Sequence, residues 1–512
     1  LFPQEFTEIE KVFQALKNYL PTVDQREFSE VSNATNSRVT LLHPKEQYNV
    51  GDTMQVRVDM RDHKGNLKAH GGDFILSRIV SPTLKAAASG VVKDLKNGTY
   101  LVDFTLFWPG QVEVVLQLIH SREAVAVLWR VKQLHFDKCL FTGTFTNNSV
   151  TEKTKCFSYP NYSLPLCTYT DKRDNDTYFC LKPKTLPCET LTLFQSINNE
   201  NPNMTNNETK LFDRKDQLKT MCCIMEFSLR LNLHARFTEP VISVSVLCNA
   251  VTSNSRLLSG ELLLSNKTCS FGAPQSVPSG FFYKNNWYSS FCKLRSFSNI
   301  HDINSCLQGK TLHLRGDSTL RQWVEYLTSK LTDLKLLVHL NYFMPMHAFD
   351  VYRNISVDWK RHGHPWITFS LIPIKGGHFV AREVDRIAGG PNTIVGITVG
   401  QHTRPYPLQL HIQKLLNIRN AIKRLLLRSP TTTVFVKLEN IRELSNSFRF
   451  SNWYGYIQNL AQREVFEGLN VTILDAWDMT VADNTQYVHP VERVIYSQIA
   501  IFLPYLCPNS SN

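Results

Sequence analysis

Between Lys310 and Val324 the chain reads Lys-Thr-Leu-His-Leu-Arg-Gly-Asp-Ser-Thr-Leu-Arg-Gln-Trp-Val, a short apolar strand that ends in a Gly-Asp-Ser turn and passes at once into a helix. Apolar residues at Leu320, Trp323, Val324, Leu327, Leu331 and Leu334 recur at helical spacing, which puts Ser318 at or just before the first turn. Backbone N–H groups at that place have no intrahelical acceptor, and such donors can stabilise an oxyanion beside an attacking serine hydroxyl. A serine that merely caps a helix gives the same tripeptide. The motif therefore needs chemical partners elsewhere in the chain.

One such partner lies near the C-terminus. Val471-Thr472-Ile473-Leu474 reads as a strand, followed by Asp475, Asp478, Asp483 and then His489-Pro490, with the proline opening a last amphipathic helix. From about Trp287 onward, strands and helices alternate. Strands are predicted at 311–314, 366–373, 393–399, 431–437 and 471–474, and helices at 318–331, 407–428, 452–466 and 490–503. Alternation of this kind predicts a mainly parallel sheet covered by helices, in which Ser318 and His489 share one edge.

The bulk numbers bound the class. A chain of 512 residues with 43% apolar composition supports two to four packed domains. It has no window of about 18 uninterrupted apolar residues, so no segment of the given chain is expected to span a bilayer. It begins at Leu1, which leads us to expect a signal peptide or membrane anchor upstream.

Twelve cysteines, none of them before Cys139 and most of them between Cys139 and Cys306, suit disulfides. Cys222-Cys223 and His362-Gly363-His364 fit no standard zinc spacing, and no metal is expected. Eleven Asn-x-Ser/Thr sequons, at Asn33, Asn97, Asn147, Asn161, Asn175, Asn203, Asn207, Asn266, Asn354, Asn470 and Asn509, point with the cysteines to the secretory pathway. The net charge of +12 attracts polyanions, and a secretory location leaves acidic glycans or membrane surfaces rather than nucleic acid. Arg419, Lys423, Arg424 and Arg428 read as a solvated helix face.

These features divide the chain into four parts. Residues 1–36 form a helical lead-in to the first domain. Residues 37–135 show short alternating runs such as Met54–Met60 and Tyr100–Leu106, the pattern of a β-sandwich. Residues 136–286 read as a disulfide-stapled connector with little periodicity apart from Ile242–Val246, and residues 287–512 as an α/β domain.

The turns Gly51-Asp52, Gly65-Asn66, Gly71-Gly72-Asp73-Phe74, Asn97-Gly98 and Pro109-Gly110 resemble those of filamin-type and neurexophilin-type immunoglobulin-like domains. The segment Trp287…Cys292…Cys306…Gly309-Lys310 with Gly-Asp-Ser-x-x-Arg is similar to the PC-esterase branch of SGNH/GDSL hydrolases. Together they resemble the neurexophilin and PC-esterase domain family over nearly the whole chain.

The resemblance implies a multidomain fold: an immunoglobulin-like sandwich, a disulfide-rich connector and a C-terminal α/β/α SGNH-like domain. It implies Ser318 as nucleophile and His489 as general base. Gly316, Asp317 and the Ser318 N–H frame the oxyanion site, and Arg321 anchors a polar or anionic acceptor. Gly400 and His402 match a strand-end Gly/His motif. The branch carries an aspartate three residues before the histidine, where this chain has Gln486, so Asp478 or Asp483 is expected to orient His489, ahead of Asp475. A Ser–His dyad held by a backbone carbonyl is the other arrangement.

The activity implied is acetyl transfer through an acyl-serine, with acetyl-CoA as donor and a sugar hydroxyl as acceptor, sialic acid on mucin-type glycoproteins first, in the Golgi lumen or after secretion. An O-acetylesterase using the same residues is one alternative. A secreted binding glycoprotein acting through its neurexophilin-like region is the other.

Overall fold

A computed structural model describes residues 3–21, 28–45, 48–134, 140–158, 163–171, 176–197, 204–212, 243–247, 262–267, 269, 276–294, 297, 299–337, 345–363, 371–374, 379–443 and 447–507. The sequons at Asn161, Asn175, Asn203 and Asn509 and the cysteines Cys139, Cys222, Cys223 and Cys248 lie outside these, as does most of the strand expected at 366–373.

Alternation builds the N-terminal body. Along Thr53–Asp62 the residues Met54, Val56, Val58 and Met60 turn inward, and along Thr99–Thr105 so do Tyr100, Val102 and Phe104. These strands belong to a four-stranded antiparallel sheet whose inner face meets Ile75, Ile79, Val112, Val114 and Leu116 of a seven-stranded sheet, closing a β-sandwich. The hairpin of Gly280–Tyr283 and Asn286–Ser289 extends the larger sheet through Phe281↔Ala88. The expected boundary after residue 286 therefore falls inside a hairpin. Phe281 completes the sandwich core, while Phe282 and Trp287 point the other way into the C-terminal core.

Residues 140–197 form a sheet rather than an irregular connector. Leu140–Asn147, Val150–Phe157, Leu166–Asp171, Asp176–Leu181 and Leu191–Ile197 pair antiparallel and are joined by Ile372–Pro373. The last two residues of the strand expected at 366–373 thus belong to this sheet and not to the parallel one. In Val150–Phe157 only the final two residues are buried, so the apolar alternation is too short to register in sequence. Cys156–Cys180 and Cys167–Cys188 staple this sheet. Cys269–Cys292 and Cys306–Cys507 lie closer to the C-terminal body. The last closes a loop with a sequence separation of 201, which in a chain-entropy account is worth about 5 kcal/mol.

The N-terminal helix Pro3–Leu16 packs chiefly on the C-terminal body, in a core that also takes Phe74, Leu76 and Ile119 of the sandwich, which corrects the expected lead-in. Ile9, Val12 and Leu16 join its core, and Glu8 meets Arg419 at 3.4 Å. Helix Arg122–Leu134 does the same through Val125 and Leu128, with the Tyr454 hydroxyl donating to Leu128 O at 2.5 Å. The apolar faces of both helices are covered by one shared core.

The C-terminal sheet has seven strands: β1 Thr311–Gly316, β2 Lys335–Leu337, β3 Met346–Asp350, β4 Ile355–Arg361, β5 Thr393–Thr398, β6 Thr433–Lys437 and β7 Thr472–Leu474, in the order β2-β3-β4-β1-β5-β6-β7. From β4 to β7 neighbouring strands are parallel, and β2 and β3 add antiparallel pairs at one side.

Helices α1 Ser318–Lys330 and α6 Glu492–Leu506 cover one face of this sheet. Helices α2 Val380–Asp385, α3 Leu408–Arg428 and α4 Asn452–Phe466 cover the other. A further helix, α5 Ala476–Asp483, packs against sandwich strands Ala86–Ser89 and Gly280–Tyr283.

Trp323 of α1 lies at 5.4 Å from Phe435 of β6 and at 5.8 Å from Phe502 of α6, and the two phenylalanine rings are 4.3 Å apart. The indole N–H donates to Gln498 Oε1 of α6 at 3.2 Å, so the buried ring leaves no donor unpaired. Phe502→Ala is expected to cost about 3–5 kcal/mol of unfolding free energy, read from urea titration. A loss below about 1 kcal/mol would show that these rings do not join the two helices.

Candidate active site

Strand β1 ends at Gly316, where φ is +149° and a Cβ would sit 1.9 Å from Thr398 O on the neighbouring strand. No other residue fits so close an approach. The chain then turns into α1, with fully buried Asp317 as its N-cap: Oδ1 accepts from Thr319 N at 2.9 Å and from the Thr319 hydroxyl at 2.8 Å. Ser318 follows as the first helical residue, half-buried, its N–H without an intrahelical partner.

Ser318 Oγ lies 2.7 Å from His489 Nε2. The turn after β1 and the loop between α5 and α6 thus bring the expected nucleophile and base within proton-transfer distance. For the hydroxyl to donate to Nε2, the ring proton must sit on Nδ1. Among the described residues no carboxylate pairs with His489. The expectation that Asp478 or Asp483 orients it is not met. Asp478 is buried on α5 and accepts from Ser279 N at 2.8 Å, facing the sandwich, and burial beside Asp475 pushes its carboxyl up to about 7. Asp483 accepts from the Thr485 hydroxyl at 2.8 Å and pairs with Arg493. Asp475 caps α5 and pairs with Arg463 at 2.6 Å. The physical reason is that α5 is wedged against the sandwich, which takes Asp478, while Asp475 and Asp483 are spent on Arg463 of α4 and Arg493 of α6.

Backbone anchors hold His489 instead. Val488 N donates to Glu443 Oε2 at 3.1 Å, and Pro490 O accepts from Gln322 Nε2 at 3.3 Å. Glu443 is itself paired with Arg442, and the loop is tied on both sides of the imidazole. The arrangement is a Ser–His dyad on a fixed loop.

The other expected residues have clear positions. Arg321 is on α1, with Nε 3.2 Å from Glu325 one turn on. Gly400 lies against Glu439, whose Oε1 would be 2.3 Å from an added Cβ. His402 packs its ring 5.1 Å from that of His362 and is near enough to His489 to feel its charge. Burial, reinforced by His362, holds the His402 pKa well below the usual histidine value. Among the described residues no cluster of three or more His, Cys, Asp or Glu side chains is placed to hold a metal ion.

Sequence reasoning passed over a buried charged layer beneath Ser318. Lys437 Nζ reaches the Thr319 hydroxyl at 3.3 Å, Leu438 O at 3.2 Å and Asn440 Oδ1 at 3.1 Å. Arg404 donates to Asn440 O at 2.8 Å and lies 3.6 Å from Glu439. Burial lowers the Lys437 pKa and raises that of Glu439 to about 7. The Asn440 side-chain N–H₂ is buried without an acceptor. The signal was available: Lys437-Leu438-Glu439-Asn440 places three polar residues at the end of an otherwise apolar buried strand.

Desolvation, and then the charge of Arg321, hold the His489 pKa below its usual value. A base must be neutral, so its active form persists to lower pH than for a free histidine. Arg321→Gln removes a repelling cation, and the acid limb of serine acylation by p-nitrophenyl acetate is expected to move to higher pH. An unchanged or lowered limb would contradict this electrostatic account.

Two family comparisons agree with this division. Residues 15–199 match the model described as Neurexophilin, and residues 287–507 match NXPE family member 4-like, C-terminal domain. The second match spans both loops that bring Ser318 and His489 together, and the first spans most strands of the sandwich and of the stapled sheet. The chain belongs to the neurexophilin and PC-esterase domain (NXPE) family.

Proposed function

We propose that the C-terminal domain is a serine acyltransferase of SGNH type. In this reading it transfers acetyl from a thioester donor, acetyl-CoA, to a sugar hydroxyl, with sialic acid on mucin-type glycoproteins as the acceptor. The observation that carries the reading is the 2.7 Å contact between Ser318 Oγ and His489 Nε2. Membership of the NXPE family supports an acyl-transfer chemistry.

Ser318 Oγ bonds to the acetyl carbonyl carbon while His489 Nε2 takes its proton, and the Ser318 N–H stabilises the oxyanion. The thiolate leaves with that proton. A sugar hydroxyl then attacks the acetyl-serine, gives its proton to His489, and Ser318 is regenerated as the acetylated sugar departs. Arg321 and the net charge of +12 favour an acceptor carrying a carboxylate.

Four disulfides support a lumenal or secreted site of action, and the Golgi is the compartment we propose. No helix among the described residues is long and apolar enough to cross a membrane. Six described sequon asparagines, Asn97, Asn147, Asn207, Asn266, Asn354 and Asn470, are exposed, and Asn33 is half-buried with a hydrogen bond to His63. These are the positions we expect to carry glycan.

The exposure of His489 favours one second reading, hydrolysis of O-acetyl groups, because water can reach the acyl-serine. Purified protein supplied with labelled acetyl-CoA and sialoglycoprotein is expected to form O-acetylated glycan. Ser318→Ala and His489→Ala should each lower the rate roughly a thousandfold, and the double variant no further. Loss of pre-existing acetyl groups without any gain from the donor would favour the esterase, and full activity of Ser318→Ala would end the nucleophile assignment.

A further inference from the structure

Upstream of the Ser318 turn, on the α2 face of the sheet, β1 and β4 floor a cavity of about 380 Å³, within the size range of small-ligand sites. Its floor follows from strand alternation. Leu312 and Leu314 of β1 point into the core under α1 and α6, so His313 and Arg315 point to the opposite face. Asp358 and Lys360 of β4 stand beside them in register, and His347 of β3 stands beside Asp358. Glu383 of α2 and Arg386, just after it, form one wall.

The charges are arranged in depth. Asp358 Oδ1 accepts from His313 Nδ1 at 2.5 Å, and its Oδ2 pairs with Arg315 Nη1 at 2.6 Å. Glu383 Oε2 accepts from Lys360 Nζ at 2.7 Å, and its Oε1 from Arg386 Nη1 at 2.5 Å. The carboxylates lie beneath their partners: the Asp358 and Glu383 side chains are 13% and 2% exposed, those of His313, Lys360 and Arg386 24%, 31% and 56%. All four carboxylate oxygens are thereby engaged, whereas donors are left over. With one bond made, Lys360 keeps two ammonium N–H groups and Arg386 four guanidinium N–H groups with no acceptor among the described residues. A cavity whose acceptors are spent and whose accessible donors are cationic suits an anion.

Lys360 and Arg386 hold the two oxygens of one carboxylate, so their heads lie side by side, and His313 faces the same cavity from the neighbouring strand. A tetrahedral oxyanion offers acceptor oxygens in three directions, one for each of these groups. A planar carboxylate offers two. Pro345, Met346, Ile387 and Ala388 complete the lining with apolar surface, which suits the organic body of an ester better than a bare ion.

We infer that this cavity is an oxyanion site that takes a phosphate or sulfate ester on Lys360, Arg386 and His313. The inference goes beyond the acyl-transfer reading and does not depend on it. The same chemistry has two sources, the phosphates of coenzyme A and a sulfate carried by a sugar. Arg315 on the cavity floor is three residues before Ser318, at most about 11 Å of chain, so a ligand held here lies close to the dyad.

Isothermal titration calorimetry on the full-length protein at low salt tests this. The probes are inorganic sulfate, acetate, coenzyme A, 3′-dephospho-coenzyme A, methyl galactoside 6-sulfate and its unsulfated parent. Sulfate is expected to bind roughly tenfold more tightly than acetate, and Lys360→Gln and Arg386→Gln should each weaken the tightest probe roughly tenfold. Lys45→Gln, in an exposed ion pair of the sandwich, should leave binding unchanged. If the two cavity variants fold poorly, wild-type protein supplies the second reading: saturable NMR shifts of the His313 and His347 ring protons on titration with sulfate. Coenzyme A binding that weakens with loss of the 3′-phosphate and in both variants supports the site with the donor as its source. Tighter binding of the sulfated sugar than of its parent, weakened by the same variants, supports it with a glycan as its source. Absence of saturable binding by every phosphate and sulfate probe, acetate binding as tightly as sulfate, or equal weakening by Lys45→Gln overturns it. Binding to a protein that transfers no acetyl group leaves the site standing and removes only the acyltransferase reading.

Discussion

The packing of Trp323 against Phe435 and Phe502 is the contact on which the site depends. It joins the helix that begins with Ser318, strand β6 of the sheet, and the helix that follows His489. Ser318 and His489 sit 171 residues apart in sequence, so a hydrogen bond between them has to be maintained by packing behind it. A weak polar contact at a surface gains little by itself. Three buried rings and an indole–glutamine hydrogen bond supply the rigidity that the contact lacks, and the Cys306–Cys507 disulfide closes the same body from behind.

Beneath the serine the chain buries charge instead of hydrocarbon. Asp317, Arg404, Lys437 and Glu439 are at most 1% exposed. Taking them out of water is costly unless each finds a partner, and here they are close enough to compensate one another and to hold Thr319 and Asn440 in place. Layers of this kind are seldom chosen for stability. Their place under Ser318, with an unpaired Asn440 N–H₂ among them, fits a preorganised polar floor.

Much of the C-terminal architecture was legible in sequence. Helix 318–331 and the strands near 393–399, 431–437 and 471–474 follow from periodicity, and the structure has them within a few residues. Strand β4 was legible and missed: Ile355, Val357 and Trp359 alternate with Ser356, Asp358 and Lys360, the pattern of a half-buried strand. The sheet at 140–197 was hidden for a better reason, since Val150–Phe157 buries only its last two residues and the small core of Phe141, Phe145 and Phe194 is completed by disulfide cysteines. The role expected of Asp478 failed because sequence proximity to His489 says nothing of the direction in which a helix faces.

From the sequence alone came the secretory character, the division into a β-rich and an α/β part, and the pairing of Gly-Asp-Ser with a late histidine, because composition, periodicity and local turn chemistry are properties of short segments. Tertiary structure alone decided that the N-terminal helix and the sandwich share cores with the α/β body, that α5 turns Asp478 to the sandwich, and that His489 is held by its neighbours' backbone. Those outcomes depend on which faces meet across hundreds of residues, and burial of one face against another is settled only when the whole chain is packed.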